Sequence, residues 1–176
     1  GSYFILKDKK QQDWIKIRKE LKKALARNYY YLGKEWQYKN IKPRVIVEKL
    51  LIAKDGSLPN DFKFHCINGK VAFIQVDINR QLEHSRNIYD INWELLDMTY
   101  VYKRGGNIEA PKKLIKMIQL AEKISSKFHF ARVDFYEVDC QVYFGEITFH
   151  PESGFGQIIP EKWSYKFGNM LNLPSY

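Results

Sequence analysis

Four polar side chains in the C-terminal third of the chain have the types and spacing of a site for a metal ion and a phosphate: Arg132, Asp134, Glu146 and Thr148. Successive side chains of a β-strand point to opposite faces, so Arg132 and Asp134 share one face of a strand predicted over residues 130–138. Glu146 and Thr148 share a face of the returning strand, residues 142–149, by the same rule. A three-residue turn at 139–141 would place Asp134 opposite Glu146 and Arg132 opposite Thr148.

Two carboxylates that face each other across neighbouring strands repel, and the pair destabilises a sheet unless a positive charge lies between them. A divalent cation such as Mg²⁺ fits this position, because it prefers oxygen ligands from carboxylates, water and phosphate. The planar donor fork of Arg132 would then bind a phosphate or a developing oxyanion. The same residues also fit an exposed hairpin face with ordinary surface ion pairs, which are common and contribute little. The charge pattern alone leaves both interpretations open.

Strand patterns around this hairpin indicate a sheet of mostly antiparallel strands. A β-branched run at residues 44–52 predicts a buried strand. The dipeptide Asn68-Gly69 between the runs 62–67 and 71–77 predicts a second hairpin. Residues 79–106 have no clear period, and we expect an irregular loop region there.

Helical spacing of apolar residues predicts a helix at 111–125, with Pro111 in its first turn, and a short helix near 161–171. A third, amphipathic helix has the basic residues Lys16, Arg18, Lys19, Lys22 and Lys23 between its apolar positions. Helices and antiparallel strands together indicate an α+β fold. We expect one domain over residues 1–176, with the basic helix and an aromatic connector at 3–44 and the sheet that carries the charged hairpin at 45–176.

The net charge of +9 favours an anionic partner, and much of the excess lies around the basic helix. Its charges fit either a solvated face or a site for anions or a membrane surface. No apolar run approaches the length of a membrane span, so we expect a soluble, cytoplasmic protein. Cys66 and Cys140 lack the spacing of a zinc site or a disulfide framework.

The hairpin sequence resembles the C-terminal signature of ATP-grasp enzymes. The resemblance lies in Arg132-Val133-Asp134, in Tyr143-Phe144-Gly145-Glu146-Ile147-Thr148 and in residues 151–154. It implies that Asp134, Glu146 and Thr148 hold Mg²⁺ on ATP and that Arg132 stabilises the transferring phosphoryl group. Thr148 stands where most ATP-grasp enzymes have asparagine, and a hydroxyl is a weaker ligand.

The resemblance extends upstream of the hairpin. Residues 45–51 are similar to the strand and hinge that line the adenine and ribose, which implies nucleotide-binding roles for Glu48, Lys49 and Leu51. Lys63 and Arg80 are similar to the basic residues that reach the acceptor and the transferred phosphoryl group. Without the resemblance, Lys63 would be read as a surface residue, because its face differs from that of Phe62 and Phe64.

More narrowly, residues 29–44 and 87–90 resemble the teichuronopeptide-biosynthesis (TupA-like) branch of the superfamily. The resemblance implies an ATP-dependent carboxylate–amine ligase that acts through an acyl phosphate in the synthesis of bacterial cell-envelope polysaccharide or teichuronopeptide. Its partners would be a nucleotide and an anionic or carboxylate-bearing envelope precursor. ATP-grasp enzymes carry an N-terminal domain and a phosphate-binding loop before the position where this sequence begins, so we expect that domain to be absent here.

Three other functions stay open. A shortened relative could be a non-catalytic binding module that keeps the hairpin without turnover. Members of this branch are sometimes labelled glycosyltransferases, but the chain has no DxD-type sugar-nucleotide motif. Specific nucleic-acid binding ranks last, because no recognised nucleic-acid motif is present.

Overall fold

The computed structural model describes residues 3–78 and 83–173. The chain forms two compact units, Gly1–Leu51 and Ile52–Tyr176. The first unit contains the helices α1, Trp14–Leu25, and α2, Tyr30–Gly33, and the 3-10 turns Lys9–Gln11 and Trp36–Tyr38. Asp13 caps α1, since its side chain accepts a hydrogen bond from the Lys16 amide at 2.9 Å. The predicted basic helix is confirmed.

The strand predicted at residues 44–52 is wrong. This segment is irregular, and the side chains of Ile46 and Val47 are 80% and 88% exposed. β-Branched residues favour an extended backbone, but a strand also needs a neighbour for its main-chain hydrogen bonds. Among the described residues, no strand of either sheet pairs with this segment.

The second unit is built on a five-stranded sheet in the order β3-β2-β1-β5-β6, in which all neighbours are antiparallel. Its strands and helices are β1 Asp61–Ile67, β2 Lys70–Ile78, β3 Ser85–Tyr89, β4 Thr99–Tyr100, α3 Leu114–Ser125, β5 Phe130–Val138, β6 Gln141–Thr148, β7 Ile158–Ile159 and α4 Lys162–Gly168. The short strands β4 and β7 form a separate antiparallel pair. The predicted α+β class and the two C-terminal helices are confirmed, but α3 begins at Leu114, so Pro111 precedes the helix and is not in its first turn.

The hairpin predicted around Asn68-Gly69 is confirmed. Asn68 has φ 50° and Gly69 has φ 75°, which suits the two-residue turn that best matches the twist of paired strands. A Cβ atom at Gly69 would lie 3.0 Å from the Cα atom of Ser126, so glycine also permits the close approach of the end of α3.

The expectation that residues 79–106 form only a loop is wrong, because β3 and β4 lie within them. All five residues of β3 are buried, and polar side chains occur on both of its faces. The alternation between apolar and polar residues that marks a half-buried strand is therefore missing from the sequence.

The two faces of the large sheet differ in chemistry. One face packs on α3 and forms an apolar core whose members include Phe64, Ile74, Met117, Val133 and Phe135. The opposite face has a smaller apolar cluster at one end, with Phe73 and Phe167, and a row of buried polar side chains beside it. The predicted site belongs to that polar face. Within the part of the chain that the structure describes, no helix has the length and apolar character needed to cross a membrane.

Candidate functional site

Arg132 and Asp134 form a two-pronged ion pair on the polar face of β5. The Nε atom of Arg132 donates to Oδ1 of Asp134, and its Nη2 atom donates to Oδ2, both at 2.8 Å. The two side chains are 9% and 1% exposed. Hydrogen bonds between a buried guanidinium and a carboxylate are stronger than neutral ones, and the fork geometry fixes the orientation of both groups. The alternation of side chains along a β-strand predicted that these two residues share a face.

The register of the β5–β6 hairpin corrects the predicted turn. Two residues, Asp139 and Cys140, form the turn with φ 50° and 63°, so Val138 pairs with Gln141. The register then shifts by one residue, because Gly145 and Glu146 together lie across from Asp134. This bulge restores the predicted pairing of Arg132 with Thr148, whereas Asp134 has no single partner opposite it.

Glu146 is nevertheless joined to Asp134 through the guanidinium of Arg132. The Nη2 atom of Arg132 lies 2.8 Å from Oε1 of Glu146 as well as from Oδ2 of Asp134. The Thr148 hydroxyl donates to the same Oε1 atom at 3.2 Å. The repulsion between the carboxylates that led to the prediction of a cation is thus offset, in this structure, by Arg132. The Glu146 side chain is 64% exposed.

Lys63 is a second cation in the network. Its Nζ atom lies 2.6 Å from Oδ2 of Asp134 and 2.6 Å from Oδ2 of Asp61. Pairing across β1 and β5 produces this contact, because Lys63 is directly opposite Asp134. Lys63 is 5% exposed, so the interpretation of this residue as surface is wrong. A lysine on the polar face of a sheet is buried when charged neighbours compensate it.

The polar row continues across β1, β2 and β3. His65 lies 2.9 Å from the amide oxygen of Gln75, and Gln75 donates to Asp77 at 3.1 Å. Arg86 donates to Oδ1 of Asp77 at 2.6 Å and to Glu152 at 3.2 Å. These contacts connect the centre of the sheet with the loop at residues 151–154, the last part of the predicted signature.

The buried charges of this face balance among the residues that the structure describes. Three cations and three carboxylates there are at most 9% exposed: Lys63, Arg86, Arg132, Asp61, Asp77 and Asp134. Glu146 and Glu152, which are more exposed, add two negative charges. Counted over the described residues, the row therefore has two more negative than positive charges, which a divalent cation would offset.

The pKa shifts follow from burial and from the neighbouring charges. Burial alone would lower the pKa of Arg132, but Asp134 raises it above its ordinary value, with contributions from Glu146 and Asp61. Burial alone would raise the pKa of Asp77, whereas the hydrogen bond and charge of Arg86 lower it overall. These groups are therefore charged at neutral pH.

His65 behaves differently from the charged groups. Burial lowers its pKa to about 3, and the charge of Arg132 acts in the same direction. The ring stacks on Phe73 with a centroid distance of 4.1 Å. His65 is therefore neutral in the physiological range and serves as a packed, hydrogen-bonded member of the row.

Four further residues were predicted from the sequence to belong to the site. Glu48, Lys49 and Leu51 lie in the irregular end of the first unit. Their nucleotide-binding role stays a prediction. Arg80 lies outside the described residues.

The sequence interpretation missed Asp61, Gln75, Asp77, Arg86 and Glu152 as members of the network. A signal was present for the first three, because they alternate with apolar residues on β1 and β2 in phase with Lys63. Arg86 and Glu152 gave no such signal, since each lies in a segment without a clear period.

The donor set determines which cation could bind. Among the described residues, no three His, Cys, Asp or Glu side chains are grouped to hold a metal ion by themselves. Mg²⁺ does not require such a cage, because it keeps several waters and commonly binds one or two carboxylates together with substrate phosphates. Glu146, with the Thr148 hydroxyl beside it, fits that role. Asp134 fits as the second carboxylate, although Arg132 and Lys63 already occupy most of its acceptor positions.

The fold and this charged hairpin agree with the outcome of comparison with known families. The family model described as TupA-like ATPgrasp matches residues 1–172, so the chain belongs to the TupA-like branch of the ATP-grasp superfamily. No curated protein and no solved structure matches the sequence.

Proposed function

We propose that the protein binds Mg-ATP at the β5–β6 hairpin and acts as an ATP-dependent carboxylate–amine ligase. The observation that carries the proposal is the contact of one guanidinium nitrogen of Arg132 with both Asp134 and Glu146, at 2.8 Å each. A cation already held between two carboxylates is positioned to exchange partners when a metal-bound phosphate arrives. Membership of the ATP-grasp family supports ATP as that ligand.

The proposed site residues would form two groups, one that binds the metal ion and one that binds the phosphate. Glu146 and Asp134 would hold Mg²⁺ with help from the Thr148 hydroxyl, and the bound ion would neutralise charge on the ATP phosphates. Arg132, partly released from its carboxylates, would donate its fork to the transferring phosphoryl group. Lys63 would keep Asp134 and Asp61 compensated during this exchange, or reach the phosphate itself.

The proposed reaction has two steps. An acceptor carboxylate oxygen attacks the γ-phosphorus of ATP, the bond to the bridging oxygen breaks, and ADP leaves with that electron pair. An amine nitrogen then attacks the carbonyl carbon of the acyl phosphate, inorganic phosphate leaves, and the nitrogen loses a proton. The contribution of the protein is positioning and charge neutralisation rather than covalent chemistry. By family context, we propose an acceptor among bacterial envelope precursors and a cytoplasmic location, where ATP is available.

Isothermal titration of Mg-ATP tests the assignment. We expect Glu146→Gln to weaken Mg-ATP binding by about tenfold or more, the loss of roughly one charge-assisted contact. Glu146 is mostly exposed, so this variant should fold normally. The matched control is Asp139→Asn, which removes one carboxylate charge at the exposed turn of the same hairpin and should leave binding unchanged. Equal affinity in the Glu146 variant and the unmodified protein would remove the hairpin from the nucleotide site.

A second measurement separates a ligase from a non-catalytic binding module. Release of ADP from Mg-ATP in the presence of candidate carboxylate acceptors should be detected for an enzyme. Binding without ADP release across acceptors and amines would favour the binding module.

A further inference from the structure

The net positive charge of the protein belongs entirely to the first unit. Residues 1–51 contain 14 lysines and arginines and 5 aspartates and glutamates, a formal charge of +9. Residues 52–176 contain 15 of each and are neutral. A charge confined to one unit creates a local positive potential on that unit, where it favours an anionic partner.

Helix α1 gathers much of that charge on one face. At 3.6 residues per turn, its five basic residues fall within an arc of about 160° around the helix axis. They are Lys16, Arg18, Lys19, Lys22 and Lys23, and all five are exposed. Ile17, on the opposite side, is buried, whereas Glu20 lies at the edge of the arc. The basic face is thus turned to solvent by the packing of the apolar side.

An apolar side chain lies in the middle of these charges. Ile15 falls near the centre of the basic arc and is 84% exposed. The first unit also exposes aromatic and aliphatic side chains elsewhere, including Trp36 at 76% and Leu32 at 70%. An isoleucine among lysines gains nothing from a sugar–phosphate backbone. It does gain from the boundary between lipid headgroups and acyl chains.

We propose that the first unit binds the surface of a membrane rich in anionic phospholipids, with the basic face of α1 on the headgroups and Ile15 inserted between them. The five cations supply the attraction, which acts near the surface and decreases within one Debye length. The 12-residue helix is about 18 Å long, so it would lie on the membrane rather than cross it. The proposal is independent of the nucleotide site, since it uses no residue of the sheet.

Sedimentation with phospholipid vesicles tests the proposal on the full chain. The probe is a vesicle of one part phosphatidylglycerol to three parts phosphatidylcholine, with a pure phosphatidylcholine vesicle for comparison. We expect binding to the anionic vesicle alone, and release as NaCl rises from roughly 0.05 to 0.5 M. Equal binding to both vesicles, or none to either, would overturn the proposal.

Two triple variants with the same change in net charge locate the binding surface. Lys19→Glu, Lys22→Glu and Lys23→Glu alter the basic face, and Lys112→Glu, Lys116→Glu and Lys123→Glu alter exposed positions in and beside α3. The first set should lower the partition coefficient by about 100-fold or more, since each lysine near the surface contributes roughly fivefold. The second set should lower it by less than about threefold, because none of its altered charges belongs to the proposed binding face of α1. Equal losses would mean that net charge alone, and not the α1 face, governs binding.

Ile15→Ser distinguishes a lipid surface from a nucleic acid. The substitution should weaken vesicle binding by about threefold to tenfold, by loss of apolar contact, and leave binding to a short DNA duplex unchanged. Ile15 is exposed, so its replacement should leave the fold intact. Tighter binding to duplex than to anionic vesicles, with no effect of Ile15→Ser on vesicles, would identify nucleic acid as the partner and reject the membrane.

Discussion

Asp134 accepts two parallel hydrogen bonds from Arg132, from Nε and Nη2 at 2.8 Å each, while the Nζ atom of Lys63 lies 2.6 Å from Oδ2. One buried carboxylate thereby compensates two buried cations on neighbouring strands. Without Asp134, Lys63 would keep only Asp61 as a counter-charge among the described residues, and Arg132 would keep only Glu146. Asp134 is therefore important to the fold as well as to the proposed metal site.

Asp134→Asn should lower the free energy of unfolding by about 3–5 kcal/mol, because it leaves buried cations short of one negative charge. Urea denaturation followed by circular dichroism measures this loss. Asp139→Asn, at the exposed turn of the same hairpin, should change stability by less than about 0.5 kcal/mol. Similar stabilities for the two variants would show that Asp134 is not compensating Arg132 and Lys63 in the folded protein.

Gly145→Ala should destabilise the protein by about 1–3 kcal/mol through local crowding at the hairpin bulge. An added Cβ atom would lie 3.1 Å from the carbonyl oxygen of Asp134 and 3.2 Å from the ring of Tyr136. We expect weaker Mg-ATP binding as well, because the bulge sets the position of Glu146. Thermal unfolding and titration calorimetry measure the two effects.

The control for this substitution is Gly168→Ala at the end of α4. A Cβ atom there meets nothing within 4 Å, and alanine is the better helix former, so stability should stay equal or rise by up to about 1 kcal/mol. A loss at Gly168 as large as the loss at Gly145 would remove crowding at the bulge as the explanation.

Local sequence patterns predicted those parts of the fold whose geometry depends only on residues close together in the sequence. The Asn68-Gly69 turn, the apolar stripe of α3 and the parity of Arg132 with Asp134 all follow from backbone geometry. The prediction at residues 44–52 was wrong because β-branched composition reports preference for an extended backbone but not the presence of a partner strand.

The polar network was harder to predict because it depends on pairing between distant strands. Lys63 meets Asp134 only because β1 lies between β2 and β5, an order that no local pattern contains. The bulge that separates Asp134 from a direct pairing with Glu146 comes from a turn one residue shorter than predicted. A shift of one residue reverses the faces of a strand, so the bulge is what keeps both carboxylates near Arg132.

The two cysteines should differ sharply toward a thiol reagent. Burial raises the pKa of Cys66 to about 11, and its side chain is 0% exposed, whereas Cys140 is exposed at the hairpin turn. The thiolate is the reactive form of cysteine. At pH 8 the native protein should therefore release one equivalent of thionitrobenzoate from Ellman's reagent, and a second equivalent only after denaturation. Rapid reaction of both thiols in the native protein would contradict the buried position of Cys66. In Cys140→Ser, the rapid phase should disappear.

Stability should fall as the pH decreases from about 6.5, and His65 should account for part of that loss. Its pKa of about 3 in the folded protein lies below the value of about 6.5 expected for an unfolded chain. Between these values the unfolded state binds a proton that the folded state does not, so His65 lowers stability by up to about 1.4 kcal/mol for each pH unit of decrease. The contribution is absent above the unfolded pKa.

His65→Gln removes the titrating ring and keeps an amide that can donate to Gln75. We expect a shallower dependence of the free energy of unfolding on pH between about 6 and 4.5 in this variant than in the unmodified protein, whatever its absolute stability. Urea denaturation at several pH values measures both slopes. Below about pH 4.5, Asp77 contributes a further loss of stability, because Arg86 lowers its pKa in the folded protein and the unfolded form binds protons first. Parallel slopes above that pH would show that His65 titrates alike in both states and is not held neutral by burial between β2 and β5.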